Sequence, residues 1–278
     1  MTELDDAVRR IREATSAEPR VGIILGSGLG GLADEVEARV EISYAEIPGW
    51  PASTAVGHAG VLVLGRVGEV DVAVMRGRAH LYEGIPAGDA VFGVRVLARL
   101  GIRTLVVTNA AGAIDESYRP GQLVLISDHI NLQGASPLVG PNDDTLGPRF
   151  PDLSDAYDPE LRRAAYEAAA HLGIEVGEGV YAAWLGPQFE TPAEIRFMRA
   201  IGGSLAGMST VPEVIAARHM GIRCLGISVV TNMAAGVTEG KLGHEEVLAV
   251  GAEAQPRLTA LVRELLPTLA ASGLVRRH

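Results

Sequence analysis

The run Val21-Gly22-Ile23-Ile24-Leu25-Gly26-Ser27-Gly28-Leu29-Gly30-Gly31 decides how the rest of the chain is read. Five mostly apolar residues enter a glycine-rich turn, the pattern of a buried strand whose end can wrap an anion. From Gly26 the letters also satisfy G-x-G-x-x-G, the dinucleotide fingerprint. A dinucleotide site requires an acidic residue about 20 positions on, at the end of the next strand, to hold the ribose hydroxyls. Glu46 lies near that distance, but Ala45-Glu46-Ile47-Pro48-Gly49-Trp50 does not read as a strand end after a crossover helix. No Gly-Lys-Ser/Thr follows, so the P-loop reading fails. A tight structural turn accounts for the same letters.

Composition narrows the field. The 278 residues suffice for one large α/β domain or two smaller ones. Hydrophobic residues are 47% of the chain and aromatic ones only 4%, which implies an aliphatic core of the kind that covers both faces of a sheet. A net charge of -10 argues against nucleic acid and anionic membranes as partners, so any anion must be caught locally. The one cysteine, Cys224, sits in an apolar run and reads as a small core residue. The acidic N-terminus lacks a signal-type apolar stretch, and no apolar run approaches the ~20 residues of a membrane span. A cytoplasmic location is expected.

Along the chain, Leu4, Val8 and Ile11 recur at helical spacing ahead of the strand at 21–25. Residues 61–65 and 70–75 read as a hairpin, 89–100 as a helix, 104–108 as a strand followed by a loop over 109–113, and 122–127 as a further strand. Residues 131–158 carry four prolines and no periodicity. Their Leu132, Leu138, Val139, Leu146, Phe150 and Leu153 imply packing against something, such as a neighbouring subunit. A helix near 159–172, a strand near 178–184, a strand over 222–230 and helical periodicity from His244 complete the pattern. Thr191-Pro192-Ala193-Glu194 spells a capping box with proline at the first helical position, and Thr210-Val211-Pro212-Glu213 repeats the same chemistry for the next helix. No linker or repeat divides the chain, so residues 1–278 read as one α/β domain, with ligand sites beyond the carboxyl ends of its strands.

Several polar segments fall at such ends. Arg76-Gly77-Arg78-Ala79-His80-Leu81-Tyr82-Glu83 follows a strand and offers a guanidinium fork suited to phosphate, although a solvated hairpin end explains the segment alone. His58 lies between glycines, where a lone histidine is more often structural. Phe189 and Glu190 precede a capped helix: the ring can stack on a planar ligand and the carboxylate can accept from its edge, while Glu near a helix start is favoured in any case. Asn232 ends an apolar strand, where its amide can donate and accept. Met208-Ser209-Thr210 offers a hydroxyl without an assignable base. No metal-ligand spacing is present.

In order along nearly the whole chain, G-S-G-L-G-G, G-H-A-G, G-R-A-H-L-Y-E-G, T-N-A-A-G, P-L-V-G-P-N-D, G-P-Q-F-E-T, G-M-S-T-V-P-E, V-V-T-N-M-A-A-G and H-E-E-V-L resemble the trimeric, low-molecular-mass purine nucleoside phosphorylases. The resemblance implies a single-domain α/β fold with a central mixed β-sheet flanked by helices, the nucleoside phosphorylase/hydrolase-like fold. It implies phosphate held by Ser27, His58, Arg78, Ala79, His80, the backbone of Ala110, and Ser209. Tyr82, Met208 and His244 would surround the ribose, with Tyr181, Phe189, Glu190 and Asn232 around the base. Asn232, Glu190 and His80 would be the catalytic set, and Leu146 would reach a neighbouring subunit's site in a homotrimer.

Met233, Leu146 and Ala79 depart from the vertebrate pattern and lean towards the bacterial branch. The implied reaction is reversible phosphorolysis of 6-oxopurine (deoxy)ribonucleosides such as inosine and guanosine, with orthophosphate as co-substrate and no cofactor or metal. The alternatives are a 5′-methylthioadenosine phosphorylase, a nicotinamide-dependent oxidoreductase resting on the glycine turn alone, and a nucleoside-binding protein without turnover.

Overall fold

The structure is a computed structural model describing residues 2–55, 57–239 and 243–273. In chain order its elements are α1 (Glu3–Ala14), β1 (Val21–Leu25), β2 (Glu37–Ser43), β3 (Val61–Val67), β4 (Val70–Arg76), α2 (Ala87–Ala90), α3 (Phe92–Leu100), β5 (Thr104–Ala113) and β6 (Leu123–Asn131). They continue with α4 (Pro159–His171), β7 (Val176–Ala183), α5 (Pro192–Ala200), β8 (Leu205–Gly207), α6 (Val211–His219), β9 (Arg223–Met233) and α7 (His244–Ala271).

β1 is buried at all five positions because it lies inside the sheet, parallel to both β4 and β5. That explains an uninterrupted apolar run where a half-exposed strand would alternate. The strand order is β2-β3-β4-β1-β5-β8-β7-β6-β9, and β9 returns to pair with β5. The last five strands therefore close on themselves, while β2 and β3 extend the other side as antiparallel strands. α1, α3 and α6 cover one face of this mixed sheet, where Ile24, Leu97, Val107 and Val214 share a core. α4 and α7 cover the other, around Ile23, Val106, Leu161 and Leu261. Among the described residues no helix is long and apolar enough to cross a membrane.

Three expectations change. Residues 109–113 are strand rather than loop: β5 stays paired with β9 as far as Ala113, through a register shift after Ala111. Small residues there carry little strand propensity, and the closing β5–β9 pairing overrides it. The helix over 89–100 is broken at Val91 into α2 and α3. Thr191 and Glu194 do form the capping box of α5, but Thr210 makes no side-chain cap on α6 and has φ +73°.

The dinucleotide geometry is absent at the glycine turn. Gly30–Glu35 is a short 3-10 helix leading to an edge strand, and Glu46 pairs with Arg10 at 2.8 Å. The turn instead fits against α7. Gly28 has φ +74°, and a β-carbon on Gly31 would lie 1.6 Å from the Gln255 amide. With that amide oriented to its partners, it donates to the Gly28 carbonyl and accepts from the Gly31 N–H.

The proline-rich segment is anchored at its end by Asp158. Its carboxylate caps α4 through the N–H groups of Glu160 and Leu161 and takes both Nε (2.6 Å) and Nη2 (2.7 Å) of Arg223. Earlier in the segment Leu138, Leu146 and Leu153 pack on the chain's own core, whereas Val139 and Phe150 are 83% and 87% exposed. Asp158→Ala removes both the cap and the fork, and is expected to cost about 2 kcal/mol. Denaturant unfolding checks this; an unchanged midpoint would contradict it.

Candidate active site

The carboxyl ends of β1, β5 and β9 converge on a cavity of about 280 Å³, lined by Ser27, His58, Arg78, His80, Tyr82, Asn109, Ala110, Phe189, Glu190, Met208, Ser209, Asn232 and His244, among others. Residues more than 200 positions apart meet here because parallel strands deliver their ends to one edge.

One end is built around Arg78, whose side chain is almost wholly buried. Its Nη1 lies 3.2 Å from a Glu213 carboxylate oxygen and 3.4 Å from the Thr210 hydroxyl, and its Nη2 donates to the Thr108 carbonyl. Thr108 also ties β1 to β5, donating to the Ile24 carbonyl and accepting from the Gly26 N–H.

Beside it, His58 and His80 have ring centroids 5.1 Å apart. Burial, then the Arg78 guanidinium, pulls His58 down to about 4. Burial, Arg78 and His58 together pull His80 down to about 3. Both rings are therefore neutral near pH 7.

His58 Nδ1 lies 2.7 Å from the Arg78 backbone nitrogen and 3.0 Å from the Arg78 carbonyl oxygen, so it can accept from the first or donate to the second, and His58 Nε2 lies 2.9 Å from Ser27 Oγ. His80 Nδ1 faces Glu83 at 3.2 Å, which leaves Nε2 as a lone pair. Burial raises the Glu83 carboxyl, but hydrogen bonds from Thr54 and His80 outweigh it and hold the group below the usual range. Among the described residues lining the cavity, Arg78 is thus the one permanent cation, and neutral hydroxyls supply further donors.

The other end is drier and carries a carboxylate. Glu190 is 8% exposed, and burial, with the nearby Glu194, pushes its pKa up from the ordinary value. Asn232 Oδ1 accepts from the Thr231 hydroxyl at 3.0 Å, and its Nδ2 donates to the Met233 carbonyl at 3.0 Å. An amide nitrogen has two hydrogens, so one remains for a ligand. Phe189, 37% exposed, flanks the mouth. Tyr82 stacks on His80 with centroids 4.7 Å apart. His244 enters from the first turn of α7.

Three of the expected residues lie elsewhere. Tyr181 is fully buried below the cavity, and its hydroxyl accepts from the Ser209 N–H at 3.3 Å, so it supports the wall rather than touching a base. Ala79 does not line the cavity: in the extended backbone from Arg78 to His80 the alternate side chain points away. Leu146 is 9% exposed and does not line this chain's own cavity; its side chain joins the chain's hydrophobic core.

Conversely, Glu213, Thr210, Asn109, Thr231 and Glu83 were not evident as site residues. Glu83 had a legible signal, three positions after His80 in the same motif. Glu213 looked like a capping-box residue, and only the fold reveals that its carboxylate goes to Arg78. Among the described residues no group of three or more His, Cys, Asp or Glu side chains could hold a metal.

Residues 20–267 match the family described as the Phosphorylase superfamily. The chain is 49% identical to Purine nucleoside phosphorylase 1 of Geobacillus stearothermophilus, over 97% of this chain and 98% of that protein. It superposes on the Schistosoma mansoni purine nucleoside phosphorylase in complex with adenosine with a TM-score of 0.90 at 41% identity, covering 94% of this chain and 95% of that one. The same enzyme in complex with inosine gives 0.90 at 40% identity, over 95% of both chains.

The two neutral histidines carry a pH signature that needs no ligand. Their folded values, about 4 and about 3, lie below the value of about 6.5 expected when unfolded, so acid protonates the unfolded chain first. Their contribution is therefore intact above pH 6.5 and erodes as pH falls through that value towards 4, with a slope approaching about 1.4 kcal/mol per pH unit for each histidine. Unfolding free energies measured from pH 7 to 5 should decline, and less steeply in His58→Gln. A flat profile would contradict the buried neutral pair.

Proposed function

Because the chain belongs to the purine nucleoside phosphorylases of the phosphorylase superfamily, we propose that it cleaves 6-oxopurine (deoxy)ribonucleosides with orthophosphate, reversibly, giving the free purine and (2-deoxy)ribose 1-phosphate. The observation that carries this reading is one cavity with two chemically opposite ends: hydroxyl donors and a buried guanidinium at one, a desolvated carboxylate and an amide at the other.

Breaking the glycosidic bond builds positive charge on the ribose and negative charge on the departing purine, and catalysis requires that both be stabilised more in the transition state than in the ground state. Orthophosphate held by Ser27, Ser209 and Arg78, with Ala110 alongside, supplies the negative charge facing the anomeric carbon and then bonds to it. Each hydrogen bond to that anion contributes roughly 1.5–3 kcal/mol. The His80 lone pair at Nε2 suits it to accept from a hydroxyl of hydrogen phosphate or of the sugar. Tyr82, Met208 and His244 line the stretch between the two ends, where the ribose belongs.

At the base end, the free Asn232 hydrogen donates to N7 as charge gathers there. Glu190 accepts the N1–H of hypoxanthine or guanine, while the N1 lone pair of adenine would face its charge. Sites of this kind discriminate by roughly 10⁴–10⁵ in kcat/KM. A relative solved with adenosine concerns occupancy, whereas this selection is one of turnover. No cofactor or metal is needed, since phosphate is the second substrate. We further infer a homotrimer in which residues 131–158 meet a neighbour, supported by the exposed Val139 and Phe150, and a cytoplasmic location, supported by the free buried Cys224.

Hypoxanthine release from inosine should require orthophosphate; equal release without it would mean hydrolysis and overturn the reading. Asn232→Ala should lower kcat more than it raises KM for inosine. Glu190→Gln should raise the melting temperature of the ligand-free protein, by removing a buried charge, while lowering kcat/KM for inosine. An unchanged kcat in the first variant, or unchanged inosine turnover in the second, would refute the assigned role.

A further inference from the structure

We propose that Thr210 is a positioning residue for phosphate: its hydroxyl fixes the direction in which Ser209 presents its proton. The inference rests on the reading of Ser209 as a phosphate ligand. Thr210 is fully buried, and as a β-branched residue at φ +73° it occupies backbone space that such residues avoid. It precedes α6 yet makes no side-chain cap, so its hydroxyl is not spent on the helix.

The hydroxyl faces the cavity wall instead. Its Oγ1 receives Asn109 Nδ2 at 2.8 Å and Arg78 Nη1 at 3.4 Å, and lies 3.1 Å from Ser209 Oγ. A hydroxyl oxygen has two lone pairs and one proton. A guanidinium can only donate, and in its assigned orientation the Asn109 amide presents its nitrogen, so both lone pairs are taken and the Thr210 proton is directed to Ser209 Oγ. Ser209 then accepts in that contact and keeps its own proton for the cavity it lines. The result is a chain of donors running one way, from Arg78 and Asn109 through Thr210 to Ser209, in which each bond polarises the next. Ser27, whose Oγ lies 2.9 Å from His58 Nε2, lines the same cavity, so the proton that Ser209 presents points into a space that a second hydroxyl shares.

Initial-rate kinetics with phosphate varied test this. Thr210→Val should raise KM for phosphate about tenfold or more, the factor expected for one hydrogen bond to a charged group, with KM for inosine changed less than about threefold. Thr210→Ser should bring phosphate KM back to within about threefold of the parent. Because Thr210 acts through Ser209, adding Thr210→Val to Ser209→Ala should cost no more than about another twofold. Thr210→Ala, which relieves the β-branch at positive φ, enters the same cycle should the valine variant fail to fold. Factors that multiply in full, or a phosphate KM unmoved by both Thr210 variants, would overturn the proposal while leaving the phosphate reading standing. A phosphate KM unmoved by Ser209→Ala alone would remove the reading itself, and the proposal with it.

Discussion

The site depends on the burial of one guanidinium. Arg78 is 2% exposed, in a chain with a net charge of -10, and a charge so placed persists only if its desolvation is repaid locally. The Glu213 carboxylate, the Thr108 carbonyl and the Thr210 hydroxyl do so from β5, the approach to α6 and α6 itself. Those elements are thereby fixed relative to the end of β4, which is also where β1 delivers the glycine turn. Removing Glu213 would leave an unpaired buried cation, so the carboxylate that partly neutralises the anion site is also what permits it to exist.

The same constraint explains why the remaining donors are neutral. A second cation beside Arg78 would meet like-charge repulsion in a poorly hydrated space, and both histidines are held uncharged by that neighbourhood. Hydroxyls give directional attraction without further charge, an arrangement suited to an anion that accepts several hydrogen bonds at once, as the orthophosphate proposed above does. Such preorganisation matters most as charge separates along the reaction coordinate, because the donors need not reorient.

Much of this was legible in the sequence. The apolar run at 21–25, the hairpin over 61–75 and the capping box at Thr191 carry local signals strong enough to survive folding, and the motifs around Arg78, Glu190 and Asn232 sit at strand ends where ligand sites belong. What was not legible is what tertiary pairing decides. Residues 109–113 are strand because β9 lies beside them, and Thr210 and Glu213 abandon a capping role because Arg78 is buried next to them. Tyr181 has a polar tip suited to a ligand, but β7 turns it under the wall, where it holds the Ser209 backbone. In each case a residue with two plausible local partners took the distant one.

The fate of the phosphate tests the central claim most directly. ³¹P NMR of the protein incubated with inosine and orthophosphate should show a sugar phosphate monoester accumulating in equal amount to the hypoxanthine released. Free ribose, with the orthophosphate signal undiminished, would contradict the assignment of the Arg78 end of the cavity.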